Sequence, residues 1–200
     1  MDTFEAIKNR RSIRQQKSDA IDDETLGKVL EAARWAPSWA NTQCWRFVVV
    51  TDKHVKAQLA TTRPARPAPP SSSAAPPPSP PAQPITDAPV VIAVCAELNK
   101  SGVRPDGTPA TNKGGSWYMY DTGLATQNLC LAAHAVGLGT VIIGMFDAKK
   151  AAGILKVPEG FEVVVLVPLG YPAQTGRPTS RKELSEITFQ NRFGTTGRSA

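Results

Sequence analysis

The order of elements along the 200-residue chain predicts an α/β or α+β domain built on a central mixed sheet flanked by helices. Three observations carry this reading. Amphipathic helical stretches alternate with short, β-branched apolar runs. One of those runs, Pro89-Val90-Val91-Ile92-Ala93-Val94-Cys95-Ala96, is apolar nearly throughout, the pattern of a strand covered on both faces. The longest helical stretch, Trp117 to Val136, is followed directly by a glycine and another apolar run.

Thr3 to about Arg10 reads as a short helix with Phe4 and Ile7 on one side. A second helix is expected from Asp22, a good N-cap, with Ile21 placed as a hydrophobic staple. Leu26, Val29, Leu30 and Ala33 recur at three- and four-residue spacing and make one buried face. Pro37 biases Ala36 away from helical geometry and ends that helix, so Ser38–Gln43 is a loop. Phe47 to Val50 is a strand, and Asp52 to Leu59 a short helix. Asn99 to Lys113 is loop-like. In the Trp117 helix, Leu124, Leu131 and Ala135 are expected to share the apolar face, with Gln127 and Asn128 near it, and Gly137 is the stop. Gly139–Ile143 reads as a strand. Asp147 caps a helix ending near Leu155, and Val163–Leu169 is a further buried strand.

One segment breaks this alternation. Residues 63–84 hold ten of the eighteen prolines, filled in mostly by Ser and Ala. Proline has no amide donor and clashes in a helix, so the tract cannot be a helix or a central strand. It is expected to be polyproline II or disordered, a flexible insertion in a single domain spanning 1–200.

Composition narrows the function. No apolar run approaches the roughly 20 residues that cross a bilayer. The N-terminus shows no charged segment leading into an apolar one, so no signal peptide and no membrane partner are expected. Cys44, Cys95 and Cys130 are odd in number and far apart, which favours reduced thiols in a cytoplasm over disulfides or a zinc site. The net charge of +6 is scattered, with local groups at 8–17 and 177–182. Without an RNA-binding signature, finger spacing or basic helix, it reads as a basic surface with an anion pocket, not a nucleic-acid partner.

Two constellations carry chemistry. Arg10, Arg11, Ser12 and Arg14 follow the first helix. In an extended conformation Arg10, Ser12 and Arg14 point one way, and arginine offers paired donors to phosphate oxygens while serine adds a neutral one. About a helix later, the Pro37-Ser38-Trp39-Ala40-Asn41-Thr42-Gln43 loop presents a hydroxyl and two carboxamides, which serve as donor or acceptor alike. Phosphate recognition beside such groups suits a phosphorylated heterocycle. Gly144, at the end of a strand between Ile143 and Met145, would let backbone approach a ligand closely. Trp35, Trp39, Trp45, Trp117, Tyr118 and Tyr120 are available for stacking. His54 and His134 have no nucleophile or metal-ligand companion at useful spacing, so triad and metal readings fail. Asp121 reads as solvated or paired, and Cys44 as a structural thiol.

The pairing of Arg10-Arg11-Ser12-Ile13-Arg14 with Pro37-Ser38-Trp39-Ala40-Asn41-Thr42-Gln43-Cys44-Trp45 resembles the FMN-dependent nitroreductase family. Gly137-Leu138-Gly139 leading to Gly144-Met145-Phe146-Asp147 is similar to that family's strand and turn. Val167–Pro172 is similar to its last core strand, and Arg181-Lys182-Glu183-Leu184 with Asn191-Arg192-Phe193-Gly194 to its C-terminal signature. These segments appear in the family's order. Cys44 stands where the family usually has proline.

The resemblance implies an α+β fold in an intertwined homodimer with FMN at the subunit interface. It implies that Arg10, Arg11, Ser12 and Arg14, with Arg181 and Lys182, bind the phosphate. Pro37, Ser38, Trp39, Asn41 and Gln43 would close the flavin site from the opposite subunit. The backbone of Ile143, Gly144 and Met145 would lie near flavin N5, with no catalytic side chain. The reaction implied is ping-pong hydride transfer from NADH or NADPH to a small electron-poor acceptor such as a nitroaromatic or a quinone. Two alternatives remain at this point: a different flavin reaction on the same scaffold, whether dehydrogenase, dehalogenase or flavin-destroying, and a non-enzymatic flavin-binding or Pro-rich interaction protein.

Overall fold

The computed structural model describes residues 1–64 and 83–195. Four strands, β1 (Trp45–Val50), β2 (Val90–Glu97), β3 (Gly139–Thr140) and β4 (Phe161–Gly170), form one sheet in the order β1-β2-β4-β3. All three pairings between these strands are antiparallel. The parallel component enters through a single bridge, Ser12 with Thr140, where the segment after the first helix lies along β3.

Helices α1 (Thr3–Asn9), α2 (Asp23–Arg34), α3 (Lys53–Ala60), α4 (Pro84–Asp87), α5 (Trp117–Ala135), α6 (Ala148–Leu155) and α7 (Leu184–Ile187) complete the described elements. Their starts follow local chemistry. Asp2, Asp22, Asp52 and Asp147 each accept from a backbone amide three residues on, relieving an unpaired donor in the first turn. Gly137 follows α5 at φ 83°, a left-handed stop that glycine adopts at little cost. The one-turn helices α4 and α7 were not anticipated, because four residues carry no periodic signal.

β2 organises the interior. Its alternate side chains point to opposite faces, and both faces are covered. Val90, Ile92 and Val94 meet Val29 and Ala33 of α2 and Leu129, Cys130 and Ala133 of α5. Val91, Ala93 and Cys95 meet Leu59 of α3, Ile85 of α4 and Ala151 of α6. Each fully buried Val, Leu or Ile contributes roughly 1.5–3 kcal/mol of transfer free energy, so these two layers hold the sheet.

The buried face of α5 differs from the expected one. Thr122, Ala125, Thr126, Leu129, Cys130 and Ala133 are buried, whereas Leu124 and Leu131 are half-buried and Ala135 is exposed. The hydroxyls of Thr122 and Thr126 donate to the carbonyls of Tyr118 and Thr122, both at 2.7 Å. Satisfied in this way, the two threonines behave as apolar groups, which the hydrophobic pattern cannot register.

Lys56 is buried, and its ammonium donates to the Ala88 carbonyl at 2.6 Å at the entrance to β2. The Pro-rich expectation over 63–84 falls mainly on 65–82, outside the described residues. No helix among the described residues is long and apolar enough to cross a membrane.

Candidate active site

α1 ends at Arg10, whose φ of −57° and ψ of 131° turn the chain into an extended run. The Ile13 amide donates to the Thr140 carbonyl at 2.8 Å, and the Lys17 amide to that of Tyr171 at 2.8 Å. The run therefore lies against β3 and the end of β4. Ile13 and Gln16 are buried while Ser12 and Arg14 are exposed, so Ser12 and Arg14 share the side away from the core. Arg10 and Arg11 are half-buried. Arg11 is used locally, donating to the carbonyls of Lys8 at 2.6 Å and Arg10 at 3.0 Å. None of the ion pairs among the described residues involves Arg10, Arg11, Arg14, Arg181 or Lys182.

Arg10 and Arg11 line a cavity of about 670 Å³ with Ile13, His134, Thr140 and Gly176. His134 has a role that sequence reasoning missed. It projects from the last turn of α5 into this cavity, and its Nε2 is buried with no hydrogen-bond partner. Burial lowers its pKa, and the Arg10 and Arg11 guanidiniums lower it further. The cavity wall thus combines fixed positive charge with a neutral imidazole. A lone histidine over a hundred residues from the arginines gives no signal of this in one dimension.

Arg181 and Lys182 do not line this cavity. Both are exposed, and Arg181 donates to the Thr179 hydroxyl and the carbonyls of Thr179 and Ser180. Gly176 still touches Arg11, where an added Cβ would stand 2.2 Å from the Arg11 Cβ. Beyond it, the chain from 177 runs along the surface. Within one protomer neither the basic pair nor Ser12 and Arg14 are gathered into the cavity with Arg10 and Arg11.

The second constellation is a compact turn. Trp39–Asn41 forms a single 3₁₀ turn entered from an extended Ser38. The Gln43 amide donates to Ser38 Oγ at 2.9 Å, and Gln43 Nε2 to Asn41 Oδ1 at 3.2 Å. Ala40, Asn41 and Gln43 have φ of 43°, 54° and 48°. Asparagine tolerates this region, but alanine and glutamine adopt it only under constraint. At its start this turn is bonded to Asp121 on α5, which is 1% exposed. Both its oxygens accept the Trp39 amide at 3.1 Å, and Oδ2 also accepts from the Ser101 hydroxyl and the Cys44 thiol. Asp121 is therefore paired, with three donors and, among the described residues, no cation. Burial, with Asp121 beside it, pushes the Cys44 thiol up to about 11, as suits a structural cysteine.

The Trp39 ring lies 4.9 Å from Trp117, and Trp117 lies 5.7 Å from Tyr120 in an edge arrangement. With Pro37, Ser38, Leu124 and the edge of Asp121, these rings line a second cavity of about 260 Å³. Trp45 belongs to the core, and Trp35 is exposed beneath the Arg34 guanidinium. The two cavities share no lining residue.

The third element is the turn after β3. Ile143 exchanges backbone hydrogen bonds with Leu166 at 2.9 and 3.0 Å. The strand expected to run to Ile143 instead stops at Thr140 and resumes as this one bridge. Gly144 and Met145 then face outward. A Cβ on Gly144 would meet no heavy atom within 4 Å, so no packing contact explains the glycine.

A family model described as "Nitroreductase family" matches residues 7–171, from α1 to the end of β4. The chain belongs to the nitroreductase family. Among curated relatives, the "Putative NADH dehydrogenase/NAD(P)H nitroreductase" of Methanothermobacter thermautotrophicus is 31% identical, over 87% of this chain and 79% of that one. The "5,6-dimethylbenzimidazole synthase" of Rhodospirillum rubrum is 30% identical, over 92% and 86%. Among solved structures, a protein from Exiguobacterium sibiricum crystallised in complex with FMN superposes with a TM-score of 0.76 at 26% identity, over 95% of this chain and 97% of that one. The helix-flanked antiparallel sheet described above is the nitroreductase fold.

Proposed function

We propose that this nitroreductase-family chain is an FMN-dependent oxidoreductase that transfers hydride from NADH or NADPH to nitroaromatic, quinone or similar electron-poor acceptors in a ping-pong sequence. The observation that carries the proposal is the extended Arg10–Arg14 run, locked to Thr140 and without ion-pair partners among the described residues, in a chain of this family.

The residues present fit FMN. Arg10, Ser12 and Arg14 offer donors to phosphate oxygens, with no carboxylate of the described residues paired to the arginines. The neighbouring cavity of about 670 Å³ lies within the roughly 300–1,000 Å³ typical of small-molecule sites, and its buried His134 Nε2 lacks a protein partner. When bound, FMN supplies the two-electron relay between nicotinamide and acceptor. Ser12 and Arg14 orient the phosphate end, with Arg11 contributing through the cavity wall and Arg181 and Lys182 adding charge from the C-terminal segment. The exposed backbone of Gly144 and Met145 faces the ring system, and Ile143, buried and with its amide and carbonyl paired to Leu166, anchors that turn from behind. Pro37, Ser38, Trp39, Asn41 and Gln43 close the site from a second subunit. The separation of the two cavities within one protomer supports this homodimeric arrangement, because a second copy is needed to bring them together. No side-chain acid is required. We further propose one domain over 1–200 and a cytoplasmic location, supported by three buried, unpaired cysteines.

The test is flavin binding and turnover. Purified protein should show a flavin absorption spectrum, bind FMN at least tenfold more tightly than riboflavin, and oxidise NADH or NADPH faster when a nitroaromatic or quinone is added. Equal affinity for riboflavin would remove the phosphate assignment. A second reading, a different flavin reaction on this scaffold, is favoured by the similarity to a dimethylbenzimidazole synthase. Loss of the flavin itself during turnover would select it.

A further inference from the structure

Asp121 is a buried group that the proposed reaction does not use. The ion pairs among the described residues leave it out, and it collects donors from three separate segments. The Trp39 amide comes from the loop after α2, the Cys44 thiol from the entrance to β1, and the Ser101 hydroxyl from the segment after β2. The two carboxylate oxygens together accept from all three. An amide in its place would turn an NH₂ toward donors.

The loop it holds is strained. Left-handed backbone at Ala40 and Gln43 persists only where the surroundings over-determine it. Four hydrogen bonds of the turn are internal: Asn41 N to Ser38 O, Thr42 N to Trp39 O, Gln43 N to Ser38 Oγ, and Gln43 Nε2 to Asn41 Oδ1. Among the described residues, two side chains tie this turn to the body of the domain: Asp121, which accepts the Trp39 amide at its start, and Arg46 of β1, which donates to the Gln43 carbonyl at 3.1 Å at its end. Beside the Asp121 bond, the Trp39 ring rests on Trp117, and Gly102 fits so closely under Trp117 that an added Cβ would stand 2.2 Å from its ring. The Ser38 loop and the segment around Ser101 are thus fastened to the first turns of α5 at one point.

We infer that Asp121 is a positioning residue for flavin binding: its carboxylate holds Trp39, and through it Ser38 and Asn41, in the left-handed loop conformation. This rests on the proposed contact between that loop and FMN. Asp121 touches neither cofactor nor substrate in this role. It sets the population of the loop conformation that can.

The experiment uses the full-length chain, with and without FMN. In Asp121→Asn, amide hydrogen exchange across residues 36–46 of the flavin-free protein should accelerate at least tenfold, while β2 and β4 keep their protection. FMN affinity should fall at least tenfold. Adding Ala40→Gly to this variant should recover affinity severalfold, because glycine accepts left-handed backbone at little cost. If Asp121→Asn proves insoluble, Asp121→Glu keeps the charge, displaces the oxygens by one methylene and should show the same loop-restricted exchange. Wild-type exchange at 36–46, or exchange that rises throughout the core with no recovery from Ala40→Gly, would overturn the inference. Ser38→Ala and Asn41→Ala separate the two proposals. If both bind FMN like wild type, the loop contact with flavin is wrong. If both weaken binding while Asp121→Asn does not, the positioning role is wrong.

Discussion

The Ile13 amide donates to the Thr140 carbonyl at 2.8 Å, and this bond places the basic segment relative to the sheet. It turns Ile13 into the core, so that Ser12 and Arg14, its neighbours on either side, face outward together. The approach is close because Gly139 has no side chain: a Cβ there would stand 2.7 Å from the Ile13 Cβ.

Gly139→Ala should therefore push Ile13 off β3. Overpacking of this kind costs about 1–3 kcal/mol, visible as a lower thermal midpoint, and FMN affinity should fall with it. Gly144→Ala is the contrast. Its Cβ meets nothing within 4 Å, so thermal stability should stay within about 0.5 kcal/mol of wild type, while FMN affinity falls. Thermal unfolding of flavin-free protein and FMN titration together separate the two effects.

Arg14→Ala should weaken FMN binding by about 1.5–3 kcal/mol, the usual worth of a charged hydrogen bond, and leave riboflavin binding and the melting of flavin-free protein unchanged. Arg11→Ala should behave differently. Its guanidinium binds the carbonyls of Lys8 and Arg10, so part of its loss should appear as reduced stability without any flavin. Isothermal titration with both flavins, beside thermal melts, is the check.

Burial raises the Cys44 and Cys95 thiols from 9.0 to about 11. The unfolded chain releases these protons at lower pH than the folded one, so stability falls as pH rises through 9 to 11. Denaturant unfolding across that range should show the decline, and Cys44→Ser should reduce it, with the serine hydroxyl still able to donate to Asp121. Near neutral pH the buried thiols of the native protein should resist alkylation by iodoacetamide.

Leu184, Ile187 and Phe193 are 72%, 55% and 93% exposed on the C-terminal segment. Such a series of bare apolar side chains calls for a covering surface. Light scattering should show a dimer, and a chain ending at Lys182 should shift to monomer and lose FMN while keeping its helical circular dichroism. A full-length monomer with complete activity would contradict the composite site.

Much of the framework was legible in one dimension because its causes are local. Asp22, Asp52 and Asp147 cap helices through the third residue onward, Gly137 stops α5, and the unbroken apolar run of β2 announces a strand covered twice. The family motifs supplied the candidate residues, while the extended course of the Arg10–Arg14 run is set by its pairing with Thr140. Tertiary structure alone decided the rest. The face α5 buries depends on threonine hydroxyls satisfied within the helix. His134 meets Arg10 and Arg11 only because α5 packs beside α1. Asp121 gathers donors 20, 77 and 82 positions away, and that network fastens the start of the Ser38–Gln43 loop to α5. A capping bond is written within four residues, whereas a buried carboxylate is defined by what the fold brings to it, and no spacing in the chain records that.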